Sequence, residues 1–311
     1  MSKTDIKVFA PASVANVACG YDILGFALNK PGDEIVGRFV DKPGLRIVKI
    51  TGDKGKLPYE VEKNTAGFAA QRLLEHLGEE KRGIEIEIHK KMPFGSGLGS
   101  SAASAAAGVM IINELLDRPL TKQEILPFAV AGEELADGAY HADNVGPSLM
   151  GGMLLIRDNP TLDVHKLVTP ENLYATVVYP HVKILTRDAR AVLSDATTLA
   201  KTVTQTGNLG ALIVGLYNAD MGLISRALND VIVEPQRAQL IPDFHKVKEA
   251  ALKAGVLGCS ISGAGPSIFA LSENRDIAER AGVAMQRVFD KINIKNELFI
   301  STINQEGAIR L

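Results

Sequence analysis

The alternation of apolar and polar residues along the chain predicts several β-strands. Ile84–His89 reads IEIEIH, a strict period of two that is typical of a strand with one buried face. Segments rich in β-branched residues and bounded by glycine or proline predict further strands. These segments are residues 5–10, 33–40, 45–50, 153–156, 174–179, 267–271 and 297–303, and the small-residue stretch 259–267 (CSISGAGPS) is predicted to be a loop.

Longer segments with a helical repeat of apolar positions predict helices between the strands. They cover residues 64–77, 100–116, 122–136, most of 188–228, 243–254 and 275–289. Asn64 and Asp243 are the expected N-caps, because their side chains accept backbone N–H groups at a helix start. Helices and strands are mixed without regular βαβ alternation, which predicts an α+β fold with mixed or antiparallel sheets. A break near residues 175–186 predicts two domains, 1–175 and 176–311.

Composition and charge narrow the classes of protein to consider. The chain has 311 residues, enough for one large or two medium domains, and its formal net charge of −2 comes without a basic patch for nucleic acid. Two cysteines, Cys19 and Cys259, make neither a disulfide framework nor a metal cluster. The first residues lack a signal-peptide pattern, and the apolar runs are too short to cross a bilayer. We therefore expect a cytoplasmic, soluble protein with no membrane or nucleic-acid partner.

A glycine-rich loop carries the clearest chemical signal. Residues 93–104 read PFGSGLGSSAAS, follow the predicted strand Ile84–His89 and lead into an alanine-rich helix. Glycine reaches positive φ angles and lets a ligand approach the backbone closely. The N–H groups at the positive end of the following helix suit a phosphate. The loop is therefore predicted to bind a nucleoside triphosphate.

Other interpretations of this loop fit less well. A P-loop requires a lysine after the glycines, and none is present. Gly97, Gly99 and Ala102 match the dinucleotide fingerprint, but a helix rather than a strand is predicted after the next helix. A glycine-rich turn without a ligand is the remaining alternative. Lys90 and Lys91 before the loop are predicted to be surface residues, with electrostatic assistance to phosphates as the alternative.

Three motifs in a fixed order carry a family resemblance: residues 11–28 (PASVANVACGYDILGFAL), 93–104 and 260–271 (SISGAGPSIFAL). Together they resemble the GHMP kinases, small-molecule kinases with a glycine-serine ATP loop. The segments YHADNVGPSLMGG, TRDAR and DVIVEPQRAQLIPDF extend the resemblance over almost the whole chain, and they are most similar to family members that phosphorylate L-homoserine. The resemblance implies a ribosomal protein S5 domain 2-like N-terminal domain and a ferredoxin-like C-terminal domain.

The resemblance also implies an activity and its cofactors. The chain would transfer the γ-phosphoryl group of ATP, with Mg²⁺, to L-homoserine for threonine biosynthesis, and it would form a homodimer. The residues implied to bind ATP are Pro93, Gly95, Ser96, Gly97, Leu98, Gly99, Ser100 and Ser101. Ser100 and Glu134 correspond to the Mg²⁺ ligands, with the adjacent Glu133 as the alternative to Glu134. Both offer the hard oxygen atoms that Mg²⁺ prefers.

The resemblance further assigns residues to the amino-acid substrate, namely Asn16, Asp22, His141, Arg187, Arg190, Arg237 and Gly263. The carboxylate of Asp22 suits an ammonium group, and the arginines suit a carboxylate. Asp143 and Asn144 are expected to orient the substrate hydroxyl group, since positioning and charge neutralisation can suffice for phosphoryl transfer. The alternative for Asp143 is a proton acceptor. Two rival functions are a GHMP kinase acting on shikimate, mevalonate or a related alcohol, and a non-catalytic nucleotide sensor.

Overall fold

A computed structural model describes residues 5–138 and 140–311. Within these residues the strands form a seven-stranded sheet and a four-stranded sheet. In chain order the strands are β1 (Ile6–Val17), β2 (Gly20–Phe39), β3 (Leu45–Thr51), β4 (Ile84–His89), β5 (Met153–Asp158), β6 (Asp163–Leu167), β7 (Tyr174–Pro180), β8 (Gly258–Ile261), β9 (Ile268–Ser272), β10 (Asn296–Thr302) and β11 (Ile309–Arg310). Segments attached to both sheets line the pocket that is described below.

The larger sheet is built around an antiparallel hairpin of β1 and β2. The order across it is β11-β1-β2-β4-β3, and β5 pairs with the first half of β2 and with β6. All of these pairs are antiparallel except β3 with β4. Residues 11–17 and 20–32 thus belong to the hairpin, although their many small residues give them little intrinsic strand propensity, because sheet pairing and packing outweigh that propensity.

The smaller sheet is antiparallel throughout, with the order β10-β7-β9-β8. The helices are α1 (Thr65–His76), α2 (Ser100–Leu115), α3 (Lys122–Asp137), α4 (Val145–Met150), α5 (Thr186–Ala191), α6 (Leu199–Tyr217), α7 (Met221–Ala227), α8 (Glu234–Arg237), α9 (Phe244–Lys253) and α10 (Arg275–Lys291), with short 3₁₀ turns at Val61–Lys63 and Ala238–Leu240. α9 and α10 pack on the smaller sheet.

Helix α2 lies at the centre of the larger half of the molecule. It packs against α1, α3, α4, β1 and β2, and nearly all its side chains are buried. A helix that is apolar all round is covered on every side. The small side chains of its alanine and glycine residues let the neighbouring elements approach closely. The position of α2 matters for function, because its first residue follows the glycine-rich loop directly.

Most of the predicted elements are confirmed, including the α+β class. β4 has the predicted bounds, and the side chain of Asn64 accepts the N–H groups of Ala66 and Gly67 at the start of α1. Two expectations were wrong. The first residues of the 259–267 stretch belong to β8, and Asp243 occupies the N-cap position of α9 but makes no side-chain capping hydrogen bond, because its backbone has a φ of +52°. β6, β11 and α4 were not predicted. The domain boundary at 175/176 stays a prediction.

Among the described helices, none combines the length and the apolar character that a membrane span requires.

Candidate active site

One pocket gathers most of the residues predicted from the sequence. It lies where the glycine-rich loop, the β1–β2 turn, the 141–144 segment, α5, Arg237 and the 263–265 loop meet. Its lining consists of Asn16, Asp22, Phe94, Gly95, Ser96, Gly97, Gly99, Ser100, Ser101, Glu133, Ala136, His141, Asp143, Asn144, Ile184, Thr186, Arg190, Arg237, Gly263, Ala264 and Gly265. Residues from distant parts of the sequence therefore share a single cavity.

The N-terminus of α2 forms one wall of this pocket. Gly99 adopts a left-handed conformation with a φ of +65°, and the helix begins at Ser100. The first intrahelical hydrogen bond runs from Ala103 N to Gly99 O over 2.8 Å. The N–H groups of residues 100–102 consequently have no acceptor within the helix, and the helix dipole adds a partial positive charge. This end of the pocket suits an anion, as the loop predicted.

The backbone of the glycine-rich loop is held tightly against the loop between β8 and β9. The hydroxyl of Ser262 donates to Gly97 O over 2.6 Å, and Ser267 N donates to Ser96 O over 3.1 Å. A Cβ atom on Gly97 would lie 2.5 Å from Ser262 O and 2.8 Å from Gly265 O. The absence of a side chain at Gly97 therefore permits the contact that joins the two halves of the pocket.

Lys90 supports this loop from beneath, and the prediction that it is a surface residue was wrong. Its ammonium group forms a buried ion pair with Asp33 and donates to Ser100 O and to Ser104 Oγ, each over 2.7 Å. Burial lowers the pKa of Lys90, while the nearby carboxylates of Asp33 and Glu133 act in the opposite direction. The prediction failed because a charged lysine is stable in the interior only beside an opposite charge, and the spacing of residues in the sequence does not reveal that the fold brings Asp33 next to Lys90.

Of the two adjacent glutamates on α3, Glu133 faces the pocket. Glu133 is 6% exposed, and its Oε1 accepts a hydrogen bond of 2.9 Å from Ser101 Oγ. Glu134 is exposed and lies outside the pocket lining, because neighbouring residues of a helix point about 100° apart. The structure thus favours the alternative to the predicted residue.

The oxygen atoms near the start of α2 fit a magnesium ion. Ser100 Oγ is buried and makes no hydrogen bond within the described part of the chain, and the carboxylate of Glu133 lines the same wall. No group of three or more His, Cys, Asp or Glu side chains that would hold a metal occurs among the described residues. Few protein ligands are the usual condition for Mg²⁺, which keeps waters and takes phosphate oxygens.

The opposite end of the pocket holds charged side chains of both signs. Arg190 Nη1 lies 3.3 Å from Asp22 Oδ2 and donates to the Tyr21 hydroxyl over 3.1 Å. Arg237 is 3% exposed and stacks on the Tyr21 ring, with its guanidinium carbon 5.0 Å from the ring centre. Burial lowers the pKa of Arg237, and burial together with the Asp22 charge raises the pKa of Tyr21.

Asn16 and Gly263 fix the position of these charges. Asn16 Oδ1 accepts the backbone N–H of Asp22 over 2.7 Å, and Asn16 Nδ2 donates to Gly263 O over 2.9 Å. Arg237 Nη1 donates to the same carbonyl oxygen over 3.0 Å. Asn16 and Asp22 both have a φ of +57°, so this turn has a backbone conformation that needs support from its neighbours.

The segment at residues 141–144 borders both ends of the pocket. His141 Nε2 lies 3.8 Å from Asp22 Oδ2, on the charged side. Asn144 Oδ1 accepts a hydrogen bond of 2.9 Å from Ser13 Oγ, beside Gly99 at the start of α2. Asp143 lies between them, is 4% exposed and lines the cavity. These side chains stand where the phosphate wall meets the charged wall.

A few predicted residues lie elsewhere. Arg187 has an 82% exposed side chain paired with its neighbour Asp188, because α5 turns Thr186 and Arg190, four residues apart, toward the pocket instead. Pro93 and Leu98 are outside the lining and act through their carbonyl groups, which accept hydrogen bonds from Ser96 Oγ and Ser13 N.

Sequence analysis also missed neighbours of the pocket, namely Ser13, Tyr21, Asp33 and Thr186. Ser13 and Tyr21 lie within the first motif, and Thr186 opens the TRDAR segment, so their motif positions were the available signal. Asp33 had no such signal, because it belongs to an ordinary strand pattern, and only the folded sheet brings its carboxylate to Lys90.

Comparison with known proteins relates this chain to a family. The chain matches the sequence models for the GHMP kinases N terminal domain at residues 64–152 and for the GHMP kinases C terminal region at residues 212–291. It is 47% identical to the homoserine kinase of Chlorobium phaeovibrioides, over 97% of this chain and 98% of that protein.

Solved structures agree with the sequence comparison. The crystal structure of homoserine kinase from Cytophaga hutchinsonii is similar with a TM-score of 0.97 and 54% identity, covering 100% of this chain and 98% of the other. The structure of L. major mevalonate kinase in complex with R-mevalonate has a TM-score of 0.74 at 17% identity, covering 97% of each chain, and shows the common fold alone.

Proposed function

The chain belongs to the GHMP kinase family, within its homoserine kinases, and we propose that it transfers the γ-phosphoryl group of ATP to the hydroxyl group of L-homoserine. The product would be O-phospho-L-homoserine, for threonine biosynthesis. The observation that carries the substrate proposal is the pairing of Asp22 with Arg190 in the same pocket as the α2 N-terminus.

A zwitterionic amino acid matches this pair of charges. Its ammonium group would take Asp22 as partner, and its carboxylate would take Arg190 and Arg237. Substrate binding would therefore replace the Asp22–Arg190 contact without leaving either charge uncompensated in the pocket. Shikimate and mevalonate carry no ammonium group, so they would leave Asp22 facing a bound substrate without a cationic partner.

The residues at the α2 end would hold ATP. The N–H groups of residues 100–102 would bind phosphate oxygens, and Gly97 would let the backbone approach them. Ser100 and Glu133 would hold Mg²⁺, which supplies charge neutralisation on the β- and γ-phosphates when bound. We assign Glu133 to this role in place of Glu134 because of its burial and its place in the pocket wall.

The substrate hydroxyl group would be oriented by Asn144 and Asp143. Ser13 donates to Asn144 Oδ1, and this hydrogen bond leaves the amide nitrogen of Asn144 to donate to a substrate oxygen. Transfer would proceed directly, without a strong general base, since the transition state is loose and depends on alignment and charge neutralisation. A proton-accepting Asp143 is the competing mechanism. Under it, D143N would lower kcat by orders of magnitude and remove an acidic limb from the pH profile of kcat.

An ADP-release assay with Mg-ATP tests the proposed reaction directly. The panel is L-homoserine, D-homoserine, L-serine, L-threonine, shikimate and mevalonate, and we expect efficient turnover with L-homoserine alone. Turnover with shikimate or mevalonate instead would retain a GHMP kinase and reject the amino-acid pocket. No turnover with any of the six would favour the nucleotide-sensor alternative.

The magnesium ligands are tested by two neighbouring variants. E133Q should lower kcat and raise the Mg²⁺ concentration needed for half-maximal activity by about tenfold, because it removes one charged oxygen ligand. E134Q is the matched control, and it should leave both values within about twofold. The reverse result would restore Glu134 as the ligand.

Two further expectations belong to this proposal. The homodimer rests on the family resemblance, and light scattering on the purified protein would test it. A cytoplasmic location is supported by Cys19 and Cys259, which are both buried and unpaired, as in a reducing compartment.

A further inference from the structure

Gln205 joins three segments of the chain from a position outside the pocket. It lies on α6, and both the nitrogen and the oxygen of its side-chain amide make hydrogen bonds. Nε2 donates to Cys19 O over 3.2 Å and to Asp230 Oδ1 over 2.9 Å, and Oε1 accepts from Val231 N over 3.0 Å. One glutamine therefore connects α6 to the β1–β2 turn and to the segment before α8.

Asp230 organises that segment. Its carboxylate is buried and accepts the backbone N–H groups of Ile232 and Val233 over 2.9 Å and of Glu234 over 2.7 Å. These bonds set the start of α8, at whose end Arg237 lies. The backbone direction of Arg237 thus depends on Asp230, which lies four residues before the first residue of α8.

The β1–β2 turn depends on the same glutamine. Cys19 lies midway between Asn16 and Asp22, the residues that we assign to the ammonium side of the substrate. Asn16, Ala18 and Asp22 all have positive φ angles in this short stretch, so the turn is conformationally costly and needs external hydrogen bonds. Within the described residues, Gln205 is the side chain that bonds to the turn and to Asp230 together.

We propose that Gln205, through Asp230, is a positioning residue that sets the distance between the ammonium side and the carboxylate side of the substrate site. It touches neither ligand, and it acts through the turn that carries Asp22 and the segment that carries Arg237. This inference rests on the proposed function. It predicts that loss of the Gln205 hydrogen bonds weakens amino-acid binding while the ATP end, which has no contact with Gln205, is unaffected.

The test compares steady-state kinetics of the wild type and Q205A with Mg-ATP and L-homoserine. Q205A should raise KM for L-homoserine by about tenfold, with kcat and KM for ATP within about twofold, because it removes three hydrogen bonds and breaks the alignment of two distant groups. N208A is the matched control. Asn208 lies on the same helix, and within the described residues its side chain makes one hydrogen bond, a donation to Asn229 O over 2.8 Å. The KM of N208A for L-homoserine should therefore stay within about twofold of the wild-type value.

Variants that place a negative charge at position 205 supply a second test, which again measures the affinity for L-homoserine. Q205E should weaken L-homoserine binding more than Q205A does, because it cannot donate to Asp230 and places a like charge against it. The double variant Q205E/D230N removes that repulsion and should recover part of the affinity lost in Q205E. This recovery would not occur if position 205 only filled space.

The outcomes separate the two proposals. If the wild type does not phosphorylate L-homoserine, the proposed function and this inference both fail. If the wild type does so but Q205A keeps its KM for L-homoserine, or raises KM for ATP equally, the positioning role alone is overturned. A fall in thermal stability of Q205A beyond that of N208A, with no selective change in KM, would likewise reduce Gln205 to a structural residue.

Discussion

The end of the pocket that we propose for phosphate and the end that we propose for the amino acid are built from different chemical groups. At the phosphate end, the groups that we propose to face the ligand are largely backbone N–H groups at the start of α2, and glycines make room for them. At the amino-acid end they are side chains, above all Asp22, Arg190 and Arg237, held in place by other side chains. The first kind of site is contained in one short segment, whereas the second requires distant segments to meet.

This difference affects what a substitution does. A backbone site changes when a side chain is added or when the structure beneath it collapses, and every nucleotide-dependent step then suffers. A side-chain site can lose one partner and still keep its neighbours. One fold can therefore carry different substrate ends on the same phosphate end, because function depends on the site rather than on the fold. The predictions below test this contrast, beginning with the largest expected effect.

The buried ion pair beneath the phosphate end should carry the largest effect. K90M should lower the free energy of unfolding by about 3–5 kcal/mol, because Asp33 would remain buried without its cationic partner. Urea denaturation measures it. K91M is the control, since Lys91 is half exposed and pairs with Glu34 at the surface, and it should cost less than about 1 kcal/mol. Equal costs for the two variants would remove the support role of Lys90.

At the amino-acid end, D22N should lower kcat/KM for L-homoserine by about a hundredfold, because the ammonium group loses its charged acceptor. The KM for ATP should change less than about twofold, since the phosphate end is built separately. Steady-state kinetics with each substrate varied in turn gives both values. A comparable rise in KM for ATP would contradict the separation of the two ends.

Within the glycine-rich loop, two similar substitutions should differ. G97A should lower kcat/KM for ATP by about thirtyfold, because its Cβ would press on Ser262 O and shift the loop. G95A is the matched control. Gly95 also has a positive φ, but the nearest atom to its Cβ would be Ile184 O at 3.9 Å, so it bears conformational strain without a collision. If G95A were as damaging, the contact between the loops would not explain the loss.

The smallest effect should come from an ion pair remote from both ends. The hydrogen bond from Arg38 holds the pKa of Glu87 below its ordinary value of 4.5. A carboxyl group with a lowered pKa stabilises the fold above its unfolded pKa and loses that contribution as pH falls through the folded value. E87Q should therefore cost less than about 1 kcal/mol at pH 7, and the difference from wild type should shrink below about pH 4.5. A cost independent of pH would show that Glu87 stabilises by packing.

Much of the local structure could be predicted from the sequence, because local patterns determine it. The period of two predicts β4, the asparagine before an apolar repeat predicts the start of α1, and alternate glycines before an alanine run predict a phosphate-binding helix start. The hairpin residues 11–17 and 20–32 escaped that analysis, since their small residues form strands only when paired and packed. The chemistry of the amino-acid end came from the family resemblance of motifs far apart in sequence.

What the sequence alone determined is therefore most of the local elements, the loop for an anion and the motifs that identify a kinase family. The tertiary structure decided which of two adjacent glutamates faces the pocket, that Arg187 points to solvent, and that Lys90 is buried against Asp33. The tertiary structure also decided that Gln205 joins two distant segments. The physical reason is that side-chain direction and charge pairing depend on helix rotation and on contacts between residues far apart in the chain, which no local pattern encodes.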